Sequence, residues 1–163
     1  MANLKEIRNR ITSVSSTMQI TSAMKMVSAA KLKKAQDAIT AMRPYADKLT
    51  ELLQSLSATL DADTGSKYSK QREVNKVLIV PITSNRGLCG AFNSNIIKQT
   101  QELISNDYAG KKVSIFAIGK KGNDAFAKKK IVVANESSVF DDLTFENVAD
   151  IAQVLMHKFV SVE

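Results

Sequence analysis

The stretch IRNRITSVSSTMQITSAMKMVSAAKLKKAQ, residues 7–36, contains neither glycine nor proline, and its apolar side chains return at spacings of three and four. That spacing lays one apolar stripe along an α-helix, and its persistence marks a helix that winds against another helix. Followed outward, the frame begins at Leu4 and runs through Ile7, Ile11, Val14 and Met18. It passes Thr21, Lys25 and Ser28, then resumes as Leu32, Ala35, Ile39, Met42, Ala46, Leu49, Leu53, Leu56 and Leu60. Fourteen of those seventeen positions are apolar, a strong coiled-coil signal. Asn3 followed by Glu6 resembles a capping box that starts the helix at Leu4. Pro44 is expected to bend the helix without ending it, because the frame continues past it. A single helix of this length would extend about 85 Å, so residues 1–60 are expected to form a shaft.

The surface around the seam is unusual. Between Ile11 and Ala30 the only charge is Lys25, and eleven of the twenty residues are Ser, Thr or Ala. A coiled coil in water carries Glu and Lys on its outer positions. Here Ile20, Met24 and Val27 add a further apolar stripe, and Lys31, Lys33 and Lys34 follow as a basic cluster. One reading is a helix surface that merely happens to be rich in Ser and Thr. The other is a zone enclosed by protein through weak, undirected contacts, which Met18, Met24 and Met26 suit because methionine packs adaptably. No second long 3,4 repeat follows residue 60, so the seam needs a cover from an identical chain, a different chain, or a continuation of this one.

Residues 61–73 are polar and read as a linker. From residue 74 the periodicity changes. Val77–Val80 is a short apolar run expected to be a buried parallel strand, and Ser84–Gly90 is a glycine-containing turn. A helix is expected over about Asn93–Asp107, with Ile96, Ile97, Thr100, Leu103 and Ile104 inward. Val113–Ile118 is expected as the second strand. Gly119–Gly122 should turn the chain into a short helix ending at Lys128-Lys129-Lys130, and Ile131–Ala134 should be the third strand. A last helix is expected from about Thr144, with Val148, Ile151, Leu155, Phe159 and Val162 on one side. Alternating strands and helices predict an α/β, Rossmann-like parallel-sheet module with right-handed crossovers over residues 74–163. Three parallel strands make a small sheet, so the module is expected to be incomplete, truncated before later strands.

Composition narrows the function. The formal net charge is +7, and residues 1–48 hold nine basic and three acidic residues, a balance of +6. The basic excess therefore lies in the helix and points to an acidic partner there. No apolar run is long enough to span a bilayer, and the start shows no signal-peptide pattern. One cysteine, Cys89, and one histidine, His157, leave no disulfide framework and too few ligands for a Cys/His zinc site. The turn after Val77–Val80 sits where α/β proteins bind phosphates, but it has neither G-x-G-x-x-G spacing nor a GK[ST] ending. Cys89 is expected to be a buried free cysteine rather than a nucleophile, His157 a helix-surface residue, and Asp141-Asp142 a favourable approach to a helix N-terminus. No catalytic, cofactor or metal set is expected.

Two stretches carry a family resemblance. Residues 7–36 resemble the N-terminal helix of the gamma subunits of F-type ATP synthases, and SNRGLCGAFN, residues 84–93, resembles that family's signature loop, with Arg86, Gly87, Cys89 and Gly90 in the turn. Asn85 departs from the aspartate usual there. The resemblance covers a little over the first half of a gamma subunit. It implies a non-catalytic rotor shaft whose seam (Leu4, Ile7, Ile11, Val14, Met18, Leu32, Ile39, Met42, Leu49, Leu53) is covered by the subunit's own C-terminal helix. It also implies passage through the hexamer of alpha and beta subunits, with Met24, Lys25, Val27, Lys31, Lys33 and Lys34 meeting the acidic lever loops of beta. The α/β module would be the foot, docking epsilon and the membrane ring of c subunits, peripheral to the cytoplasmic face of a bacterial plasma membrane. Two alternatives stand beside it: a coiled-coil dimerising protein with a nucleotide-binding regulatory α/β domain, and a nucleic-acid-binding coiled coil. The nearly uncharged zone inside the heptads argues against nucleic acid as a partner.

Overall fold

An unbroken α-helix, α1, spans Leu4–Thr59. The computed structural model describes residues 3–59, 67–68, 73–129 and 131–161, and the chain divides into two units, Met1–Asp61 and Ala62–Glu163. The start of α1 is held by Asn3, whose Oδ1 accepts the Lys5 N–H at 3.2 Å while its carbonyl accepts the Glu6 N–H at 2.8 Å. Glu6 directs its carboxylate to Arg10, 3.6 Å away and one turn later. The helix continues through Pro44, as the uninterrupted frame predicted. The expected seam position Leu60 and the expected last-helix position Val162 lie outside the described residues, as does most of the 61–73 linker.

The second unit is built on a parallel three-stranded sheet in the order β1-β2-β3, with β1 at Lys76–Ile79, β2 at Lys112–Ala117 and β3 at Val132–Asn135. Helix α2 (Phe92–Glu102) and helix α3 (Lys120–Phe126) connect them, and α4 (Phe145–Ser161) follows β3. Alternation along β2 creates two cores. Ile115 and Ala117 face one side with Phe126 of α3, packed by Ile97, Ile104, Ala125, Ile131 and Val132. Phe116, pointing the other way, lines a groove with Val139, Ile151 and Val154, so α4 borders the second face, with none of its own residues buried. Tyr68 stacks on Phe159 of α4 with ring centroids 6.4 Å apart, so part of the expected linker packs against the module.

Several expectations change in detail. Val77–Val80 is half-buried rather than buried, because β1 is an edge strand. The register of β2 with β3 slips between Ile115 and Phe116, whose partners are Val132 and Ala134. Val133 is thereby bulged outward and lies exposed despite its apolar side chain. The expected helix to Asp107 ends as an α-helix at Glu102 and closes as a π turn over Leu103–Asp107, with the Tyr108 N–H reaching the Leu103 carbonyl at 3.0 Å. Gly122 belongs inside α3 rather than in the turn before it. A 3-10 turn at Ser137–Phe140, which periodicity did not signal, buries Val139.

Candidate functional site

Two surfaces carry the residues singled out from the sequence. The first is on α1, where among the described residues every large apolar seam side chain is exposed, from 43% at Leu49 to 73% at Leu4. Val14, Met18 and Lys25 flank an open groove on the seam, with Ser13, Thr17, Thr21 and Ser22 completing its lining. The hydroxyls of Thr12, Thr17 and Thr21 turn back to the carbonyls of Arg8, Ser13 and Thr17 at 3.1, 2.9 and 2.8 Å. Their donors are thus satisfied within the helix. A surface of this kind presents small shapes and few directed hydrogen-bond donors to whatever lies against it.

The six expected partner-contact residues, Met24, Lys25, Val27, Lys31, Lys33 and Lys34, are all exposed on α1. At about 100° per residue, Met24, Val27, Lys31 and Lys34 fall within roughly 80° of arc, and Ile20 joins them. Lys25 lies about 100° away on the seam itself, and Lys33 projects from the far side. The helix therefore gathers four of the six onto an apolar-then-basic stripe and separates the other two. A partner on one side would meet the stripe, and only a partner surrounding the helix would meet all six.

The second surface is the turn that joins β1 to α2. Thr83, 1% exposed, anchors its base: its Oγ1 accepts the Gly122 N–H at 2.8 Å and donates to the Gly119 carbonyl at 3.2 Å. Gly119 is required at its position. Its φ is +107°, and a Cβ there would stand 2.0 Å from the Thr83 carbonyl oxygen. Asn93, at the head of α2, accepts the Ser84 N–H on Oδ1 at 3.0 Å and directs Nδ2 to Ser84 Oγ at 2.8 Å and Cys89 Sγ at 3.1 Å. Cys89 is therefore half-buried with its sulfur held, rather than fully buried as expected. Asn85 accepts the Lys120 N–H at 2.9 Å and donates Nδ2 to the Ser137 carbonyl at 2.8 Å, linking the turn to the start of α3 and the 3-10 turn after β3. An aspartate could accept from Lys120 but not donate to Ser137.

Above this anchored base the tip stands free. Arg86, Gly87 and Gly90 are exposed. Leu88 is 109% exposed with φ +61°, a left-handed conformation that a leucine adopts only against a steric penalty. His157 is exposed on α4, as expected, and does not line the turn. The Asp141-Asp142 pair precedes α4, where the Thr144 hydroxyl caps the Asn147 N–H at 3.3 Å and the Asp142 carbonyl accepts the Asn147 amide at 2.8 Å. Sequence reasoning missed Thr83, Ser84 and Asn93 as the residues that hold the signature turn. Their only signal was the run of small polar residues bracketing it.

Comparison with known proteins decides among the sequence readings. The chain matches the family model for ATP synthase over residues 3–163. It is 74% identical over 163 residues to the ATP synthase gamma chain of Flavobacterium psychrophilum, covering 100% of this chain and 57% of that relative. It is 62% identical over 160 residues to the ATP synthase gamma chain of Christiangramia forsetii, covering 98% and 56%, and 45% identical over 166 residues to that of Cytophaga hutchinsonii, covering 99% and 56%. The chain thus spans about 57% of the length of these relatives, in their N-terminal part. With its single long N-terminal helix, its parallel-sheet module and this breadth of similarity, the chain belongs to the ATP synthase gamma chain family.

Proposed function

We propose that the chain supplies the N-terminal helix and part of the foot of a rotor shaft, coupling ion-driven rotation to ATP synthesis or hydrolysis on other subunits. The observation that carries this reading is a 56-residue helix whose whole apolar seam is open to solvent, in a member of the gamma chain family. The seam would be wound by the C-terminal helix of a complete gamma chain. The zone Ile11–Ala30 would run inside the hexamer of alpha and beta subunits, where satisfied threonine hydroxyls and small side chains keep contact energies similar at every rotational position. The stripe of Met24, Val27, Lys31 and Lys34 would meet the acidic lever loops of beta on one side of the helix, and Lys25 and Lys33 would meet them only as the hexamer surrounds the shaft. The α/β module would dock epsilon and the membrane ring of c subunits, placing the protein peripherally on the cytoplasmic face of a bacterial plasma membrane. Among the described residues no helix is long and apolar enough to cross a membrane.

The test is the pair Lys31→Glu and Lys34→Glu in a complete gamma chain, reconstituted with its complex in vesicles. Like charges facing each other across the contact should lower ATP-driven ion pumping at least about five-fold relative to hydrolysis. Pumping and hydrolysis that remain in their original ratio overturn the assignment of this face to acidic levers.

A further inference from the structure

The seam of α1 is made of two interleaved rows of residues, and one row holds Leu4, Ile11, Met18, Lys25, Leu32, Ile39, Ala46 and Leu53. Lys25 is its one polar member among the described residues. Around the helix axis it lies within about 20° of Val14 and Leu32, and its side chain lines the seam groove with Val14 and Met18. It is also the only charge between Ile11 and Ala30. A stretch stripped of charge on its outer positions therefore keeps a single one, and keeps it in the seam. The four residues around it on the helix surface, Thr21, Ser22, Ser28 and Ala29, are all small, so space is open for a side chain from across the seam. The Thr21 hydroxyl is engaged with the Thr17 carbonyl at 2.8 Å. The nearest carboxylates along α1 belong to Asp37 and Glu6. At the helical rise they stand about 18 and 28 Å away, out of reach, and Lys25 forms no ion pair among the described residues.

A covered ammonium without an anion costs stability that a leucine in its place would not. A lone polar residue in such a row also fixes which residues of two helices face each other, because one register alone gives it a partner. We propose that Lys25 sets the register of the shaft, its ammonium pairing with a carboxylate on the helix that covers the seam. The proposal rests on the rotor reading, in which that cover is the C-terminal helix of a complete gamma chain, and it gives Lys25 a carboxylate nearer than the levers. A slip of the cover by one heptad, about 10.5 Å, would set that carboxylate against Met18 or Leu32. The rest of the row would accept the slip, since large apolar residues repeat along it.

The complete gamma chain, free of alpha and beta subunits and so of levers, tests the pairing by hydrogen exchange over residues 18–32. Lys25→Glu keeps the helix propensity of the position and should lower protection about ten-fold. Lys25→Leu, which removes the charge and adds an apolar side chain, should keep or raise protection. Lys31→Glu, the same charge change off the seam, should leave it within about two-fold. Each Asp and Glu of the C-terminal helix is then changed to Lys in the Lys25→Glu chain, and a single one of them should restore protection. Where Lys25→Glu keeps the free chain from folding, recovery of folding by that one reversed carboxylate reads the same result. Protection that Lys25→Glu leaves intact, or that no reversed carboxylate restores, overturns the proposal. So does an effect of Lys25→Glu seen only in the assembled complex, since the partner is then a lever. None of these outcomes alters the pumping ratio of the Lys31 and Lys34 variants, so the register and the lever reading fail separately.

Discussion

Leu32 on α1 leaves 59% of its surface in water, and Phe116 in β2 leaves 1%, though both are large apolar residues in regions whose patterns demand a cover. The difference lies in where each element finds its hydrogen bonds. A helix satisfies its backbone from residues four positions away and forms along its length without a neighbour. A strand satisfies its backbone only through another strand, so the act of forming the sheet brings α2, α3 and α4 onto it and creates a core. α1 is complete as secondary structure and unfinished as a packed surface. The module closes a core around Ile115, Ala117 and Phe126 from its own residues, but along α4 it too leaves apolar side chains outside, Phe145, Val148, Val154, Met156 and Phe159 among them.

That contrast can be broken most forcefully at Gly119. Gly119→Ala drives a methyl into the Thr83 carbonyl at a strained φ, and should destabilise the module by about 4 kcal/mol; a urea transition left in place would show that the β1–α2 and β2–α3 turns are looser than described. Next comes a matched pair. Phe126→Ala, emptying a fully buried site, should lower stability by about 3–5 kcal/mol. Leu32→Ala in the same chain should change it by less than about 0.5 kcal/mol. Equal effects in urea denaturation would mean that the seam is covered after all. Asn85→Asp removes the donor to Ser137 and should weaken the module by roughly 1 kcal/mol, unless the carboxylate finds a cation, with hydrogen exchange at Lys120 reporting the loosened link. Leu88→Gly is the smallest. It relieves a left-handed leucine that buries nothing, and should stabilise by up to about 1 kcal/mol, less the extra chain entropy of glycine. A fall in melting temperature would show that Leu88 packs in solution.

Much of the α/β pattern was visible in the residues. Ile96, Ile97, Thr100, Leu103 and Ile104, chosen by spacing alone, are the buried or half-buried side of α2 and its π turn. The strand starts shifted by one residue, because a ladder begins where a partner is available rather than where apolar residues begin. The bulge at Val133 and the 3-10 turn at Ser137–Phe140 left no periodic trace, since each is a local answer to a neighbour's position. The signature turn was recognisable as a string of letters, but the Asn85 bond to Ser137 spans 52 positions and no local pattern encodes it.

The sequence by itself determined the long helix, its seam, its basic cluster and the strand–helix alternation, because periodicity and composition act over a few residues. Tertiary structure alone decided that Thr83, Asn85 and Asn93 hold the signature turn and that Leu88 stands free on it. Those groupings depend on which strand lies beside which, and that is settled by burying Ile115 with Phe126 on one face of the sheet and Phe116 on the other, a condition that no stretch of the chain can meet alone.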